Sequence, residues 1–164
     1  MRKILISGAS RGIGKAIALK LLKEGHSLSL GIRNKEDLIN TELDPKINNP
    51  ESFLVHSYDA NDIKTSKKWV EKTVKTFKNI DTVIHLASLA SPVYYKKYPL
   101  ETIDIGTTVT RKLLEKCKEW NATFIFFSSS EIYGNPSSEF GGIFCSRTCS
   151  INYTEKIKKL NKKI

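Results

Sequence analysis

Gly8-Ala9-Ser10-Arg11-Gly12-Ile13-Gly14 follows the apolar run Ile4-Leu5-Ile6 and leads directly into a helical pattern. Residues of these types, in that order, make a turn that cradles phosphate. Glycine accepts a positive φ and lets the backbone approach a pyrophosphate, whose charge then meets unpaired N–H groups at the start of a helix. The ligand implied is a dinucleotide. The glycines at 8, 12 and 14 give G-x-x-x-G-x-G, a different spacing from the general G-x-G-x-x-G fingerprint. A tight packing turn is the alternative, and the flanking strand and helix patterns favour the ligand-binding reading.

A second group of residues bears on which dinucleotide. A site for NAD usually carries an acid about 20 residues past the glycines to accept from the ribose 2′-hydroxyl, and a site for NADP carries Arg there. The second apolar run ends Gly31-Ile32-Arg33-Asn34, with no acid at its tip. Arg33, with Arg11 from the glycine turn, suits a bidentate grip on a 2′-phosphate, so NADP(H) is favoured over NAD(H). Two ordinary surface arginines are the bland alternative.

Those residues need a scaffold. Five apolar runs, Lys3–Ser7, Ser27–Ile32, Phe53–Tyr58, Thr82–Ala87 and Thr123–Ser128, alternate with amphipathic stretches near Gly12–Lys23, Ile63–Phe77 and Thr102–Trp120. Buried runs alternating with helices indicate an α/β fold with a parallel sheet, and right-handed crossovers give the order 3-2-1-4-5 with helices on both faces. This is a Rossmann-like sheet, and ligands of such sheets bind beyond the carboxyl ends of the strands. Tyr58-Asp59-Ala60 and Leu86-Ala87-Ser88 end the third and fourth runs there. Asp59 equally suits the N-cap of the following helix. After Gly141-Gly142 the pattern is lost until a short basic helix near 151–163. The sheet is therefore expected to be incomplete at its C-terminal edge, with the fifth strand exposed. An unpaired edge invites self-association into a homo-oligomer. Residues 1–140 read as the dinucleotide-binding domain and 141–164 as a divergent basic tail.

The bulk composition narrows the partners. A chain of 164 residues with 40% hydrophobic content suits a single domain. Only three strongly apolar residues follow Arg2 and Lys3 before Ser7, so neither a secretory signal nor a membrane span is read there, and a cytoplasmic location is expected. Cys117, Cys145 and Cys149 have no second Cys or His pair at metal-ligand spacing, so no metal is expected. The net charge of +10 raises nucleic acid as a partner. The cations are mostly lysines spread over helical faces, however, whereas phosphate and base reading favours Arg, and a solvated lysine surface accounts for them better. His26, His56 and His85 are read as structural.

Together, Ser7-Gly8-Ala9-Ser10-Arg11-Gly12-Ile13-Gly14 and Asp59-Ala60 resemble the short-chain dehydrogenase/reductase family, in its shorter single-domain members. From about residue 81 the chain is similar to the extended branch of that family, whose epimerases, dehydratases and decarboxylases act on nucleotide sugars. His85-Leu86-Ala87-Ser88, Ser91-Pro92-Val93-Tyr94-Tyr95 and Phe127-Ser128-Ser129-Ser130-Glu131-Ile132-Tyr133-Gly134 carry this likeness, which extends to Phe140. It implies an NAD(P)-dependent oxidoreductase or nucleotide-sugar enzyme. It also implies that Gly8, Ser10, Arg11, Gly12, Ile13, Gly14, Arg33, Asn34, Asp59, Ala60, Leu86, Ala87 and Ser88 bind cofactor. Ser129 takes the place of the strand-end Ser/Thr that bonds the reacting sugar hydroxyl, with Glu131 a weaker second.

Family chemistry also uses a Tyr base with a Lys four residues on, both projecting from one helical face. Tyr58, Tyr94, Tyr95, Tyr98, Tyr133 and Tyr153 are followed at that spacing by Asp62, Tyr98, Pro99, Thr102, Ser137 and Ile157. Tyr153 and Lys156 come nearest, but a shift of one position turns a side chain by about 100° around a helix. A dinucleotide-binding module without turnover therefore stands beside the enzyme reading.

Overall fold

The computed structural model describes residues 1–60, 62–86, 92–127 and 143–146. The strands are β1 (Lys3–Ser7), β2 (Ser27–Ile32), β3 (Phe53–Ser57), β4 (Thr82–His85), β5 (Thr123–Phe127) and β6 (Ile143–Ser146). They form one sheet in the order β3-β2-β1-β4-β5-β6, and its first five strands pair in parallel. The expected five-stranded order is thus present.

Side-chain alternation explains why both faces are covered. Ile4 and Ile6 of β1, Leu28 and Leu30 of β2 and Ile84 of β4 point to one face, where Ala18 of helix α1 (Gly12–Lys23) joins them in a core. Leu5, Val83 and Phe124, one residue out of phase, point to the other face. There they meet Trp69 of α2 (Ile63–Phe77) and Cys117 of α5 (Thr110–Glu119). α1 and α2 have the bounds expected from their periodicity.

Two differences from the sequence reading matter for the site. The fifth strand is not an edge: β6 lies antiparallel against it, with Ile125 opposite Cys145. Four residues of Ile143-Phe144-Cys145-Ser146 are too short for a period to show, yet backbone groups along β5 need partners and an apolar run close in sequence supplies them. The helical stretch expected at Thr102–Trp120 begins earlier and is interrupted. It consists of α4 (Pro99–Asp104), a π-helical segment Ile105–Val109 and α5, preceded by a short α3 (Pro92–Lys97). Proline suits the first helical position because no N–H is needed there. Thr110, the first residue of α5, donates its hydroxyl across the π-helical segment to the Ile105 carbonyl, 3.2 Å away. Among the described residues no helix is long and apolar enough to cross a membrane.

Candidate dinucleotide site

At the carboxyl end of β1 the chain turns sharply into α1. Gly8 has φ +80° and Gly12 φ +56°, a region that L side chains rarely adopt. The Gly8 N–H donates to the Gly31 carbonyl at 3.0 Å, tying the turn to the end of β2. The glycines at 12 and 14 have different tasks. A Cβ on Gly14 would lie 2.2 Å from the Gly8 carbonyl oxygen, so this glycine lets the helix start against the turn. A Cβ on Gly12 would meet nothing within 4 Å, so the backbone here borders open space.

The helix start is also electrostatically prepared for an anion. No side chain caps α1 at Arg11, and no acid occupies the first turn. The first N–H groups of a helix lack intrahelical partners and carry the positive end of its dipole. Arg11 is exposed, and Ile13 beside it is 65% exposed, an apolar side chain left at the mouth of the turn.

Beyond β2, Arg33 is exposed, while the Asn34 side chain accepts the Glu36 N–H at 3.1 Å and so caps a 3₁₀ turn (Lys35–Leu38). At the end of β3, Asp59 is not the N-cap of the following helix. Asp62 caps α2 by accepting the Lys64 N–H at 2.9 Å, and Asp59 stands exposed at the sheet's carboxyl edge. Between α2 and the α4–α5 helix a cavity of about 370 Å³ opens beside Ala60, with Tyr58, Ser66, Thr108 and Leu113 among its walls. Burial, with Asp59 adjacent, pushes the Tyr58 hydroxyl up to about 12, so it stays protonated at neutral pH and is no base.

At the end of β4, Ser7 and His85 are register partners across the β1/β4 pair. Their side chains are hydrogen-bonded, Ser7 Oγ to His85 Nδ1 at 2.7 Å, and the Leu86 N–H donates to Ser7 Oγ at 3.2 Å. Burial lowers His85 to about 4, so the imidazole is neutral. Sequence patterns single out Leu86 but miss this pair. The available signal was a Ser and a His each closing a strand that borders the chain-order reversal. Ala87, Ser88, Ser129, Glu131, Tyr153 and Lys156 lie outside the described residues, so their expected roles have no geometry to set beside them. Among the described residues no group of His, Cys, Asp and Glu could hold a metal ion.

Comparison with known proteins fits this geometry. Residues 4–149 match the model of the NAD dependent epimerase/dehydratase family. The chain belongs to that family. Over 96 residues it is 42% identical to agropine synthesis reductase of Rhizobium rhizogenes, a match covering 57% of this chain and 21% of that protein. Among solved structures, a glucose/ribitol dehydrogenase of the short-chain dehydrogenase/reductase type from Brucella melitensis superposes with TM-score 0.66 at 21% identity, covering 83% of this chain and 60% of that one. The UDP-glucose 4-epimerase of Stenotrophomonas maltophila, solved with NAD and formylated UDP-arabinopyranose, gives TM-score 0.63 at 20% identity, covering 98% and 48%. These likenesses show the fold, and the chain spans about a fifth of the curated relative and about half of the structures. The matched family is described as NAD dependent, and the glycine turn between β1 and α1 is the candidate place in this chain for such a nucleotide.

Proposed function

We propose that this member of the epimerase/dehydratase family binds NADP(H) in preference to NAD(H), as the dinucleotide-binding module of an oxidoreductase or nucleotide-sugar enzyme. The observation that carries the reading is the turn itself: two positive-φ glycines, an uncapped helix start with no acid, and open space over Gly12. A pyrophosphate fits that combination because backbone N–H groups and the helix dipole both favour negative charge there. Arg11 and Arg33, both exposed, supply the grip on the 2′-phosphate, and β2 ends without the acid that would repel it. Asp59, Ala60 and Leu86 border the nucleoside, with Ala87 and Ser88 following Leu86 in the chain, and the cavity beside Ala60 gives the base a place to enter.

When bound, the cofactor supplies hydride chemistry. The chain's own residues hold it, Ile13 covering the turn and the neutral His85 and Ser7 securing the strand ends beneath it. Ser129 is assigned to a substrate hydroxyl, a nucleotide sugar being the substrate class. The reductase name of the Rhizobium relative supports the oxidoreductase side. Titration of the purified chain with NADPH and NADH, read by nicotinamide fluorescence, tests the reading; equal affinity for both removes the NADP preference, and no binding removes the function.

A second reading, dinucleotide binding without turnover, is favoured by one feature: no Tyr is followed four residues on by Lys. Without that ammonium a phenol keeps a pKa near about 10 and is a poor base at neutral pH.

A further inference from the structure

We infer that the cavity between α2 and the α4–α5 helix is a second binding site, separate from the glycine turn, for a small ring-sized molecule that carries a hydroxyl and no carboxylate. The inference goes beyond the dinucleotide reading, because no residue from Gly8 to Gly14, and neither Arg33 nor Asn34, lines this space. Among the described residues its floor is two register pairs of the sheet, Leu5 with Val83 and Ser7 with His85, whose side chains share one face. Two residues of strand set the pairs about 6–7 Å apart, so the space runs inward from its mouth beside Ala60 and has depth for a ring. Trp69 and Leu113 close its sides, which makes the walls mainly apolar.

The floor also carries a polar atom that calls for a ligand. His85 lines the cavity and is 1% exposed; its Nδ1 meets Ser7 Oγ, and its Nε2 is buried with no hydrogen-bond partner among the described residues. Leaving such an atom unpaired is costly. A neutral imidazole carries one N–H, so Nε2 donates or accepts according to the tautomer, and a hydroxyl, which does both, satisfies it in either case. At about 370 Å³ the cavity holds far more than the one water that Nε2 would need, and its size is in the range of small-molecule sites. The lining selects against anions. Its charged residues are Glu101 and Asp104, both exposed, against the single ammonium of Lys112. A carboxylate brought past them would be repelled and then desolvated among apolar walls.

Calorimetric titration of the full chain with 4-methylphenol, toluene and 4-hydroxybenzoate tests the assignment, with NADPH and NADH titrated separately. 4-Methylphenol is expected to bind one-to-one and about 5-fold tighter than toluene, what one net hydrogen bond contributes, and 4-hydroxybenzoate is expected not to bind. His85→Leu should bind 4-methylphenol and toluene equally. Val83→Phe, whose larger side chain fills the inner end, should lose 4-methylphenol while remaining folded by circular dichroism. Should either variant not fold, the other decides, and should both fail, the ratio of wild-type affinities decides. Absence of saturable 4-methylphenol binding shows that the cavity holds water only and overturns the inference. So do equal wild-type affinities for 4-methylphenol and toluene, a preference for 4-methylphenol that survives His85→Leu, undiminished binding in folded Val83→Phe, or 4-hydroxybenzoate binding as tight as that of 4-methylphenol. A chain that binds 4-methylphenol as expected but neither NADPH nor NADH supports this inference and overturns the dinucleotide reading, whereas NADPH binding without 4-methylphenol binding does the reverse.

Discussion

The ring of Trp69 occupies the space that a side chain at Gly31 would need: a Cβ there would lie 2.4 Å from two of its carbons. This contact fixes α2 on the second face of the sheet, next to the strand whose tip carries Arg33. Two further bonds fix the ring's orientation, its Nε1–H donating to Ser29 Oγ at 2.9 Å and Ser29 Oγ meeting Thr73 Oγ1 at 2.6 Å. Gly31→Ala must therefore displace a buried ring and is expected to destabilise the chain by about 1–3 kcal/mol, the usual cost of overpacking. Urea unfolding checks this, and Gly31→Ala combined with Trp69→Leu should recover part of the loss. A Gly31→Ala chain as stable as wild type would show that the ring moves aside freely.

Gly12 and Gly14 should separate binding from folding. Gly12→Val adds a side chain into open space at φ +56°, so the chain is expected to fold with a loss of about 1–2 kcal/mol from the left-handed backbone. Its dinucleotide binding should be lost, because the branched side chain stands where the pyrophosphate approaches. Gly14→Val collides with the Gly8 carbonyl and should fail mainly in stability. Circular dichroism and NADPH titration on both variants check the division; a folded Gly12→Val chain that binds like wild type contradicts it.

Arg33→Ala and Arg11→Ala should each weaken NADPH by about 1.5–3 kcal/mol, the range for a charge-assisted hydrogen bond. NADH, lacking the 2′-phosphate, should be little affected by Arg33→Ala. Parallel losses for both cofactors would place Arg33 elsewhere than at the 2′-phosphate.

Acid should destabilise the fold in a histidine window. His85 and His56 both fall to about 4, in each case chiefly through burial, with Lys35 and Lys72 adding to the effect on His56. The unfolded chain then binds more protons between pH 4 and about 6.5, so stability is full above that range and declines as pH falls through it. For His85 the loss is on the order of 3 kcal/mol. Asp44 acts lower: backbone N–H groups of Lys46 and Asn40 hold its carboxylate below the ordinary range, so what it contributes is lost only as pH falls past the histidine window. Urea midpoints at pH 7.0, 5.5 and 4.5 check this, and a flat profile would contradict the buried neutral imidazoles.

The chain by itself is expected to show no turnover of nucleotide sugars or simple carbonyl compounds above background with NADP⁺ or NADPH. Product formation followed by mass spectrometry checks it. Activity that disappears in both Ser129→Ala and Tyr153→Phe would show that these residues assemble a working site without the usual Tyr and Lys spacing.

The order of the sheet and the phosphate turn were legible in the sequence because they rest on local periodicity. Alternating Ile and Leu in β1 and β2 mark strands, and three glycines at fixed offsets mark a turn between strand and helix. The same local logic placed α1 and α2. Residues whose meaning depends on a distant partner were not legible. Asp59 suits a helix cap on paper, and only the path of the chain into α2 gives the cap to Asp62 instead. Gly31 reads as part of a strand end, and its reason lies in Trp69, 38 positions away. His85 reads as one more core histidine until parallel register sets it opposite Ser7. β6 carries too few residues for a period and exists through pairing with β5. Sequence patterns report which face a residue must bury, because that follows from the repeat of a helix or strand. Which residues meet across that face follows from register and packing, and these are properties of the folded chain.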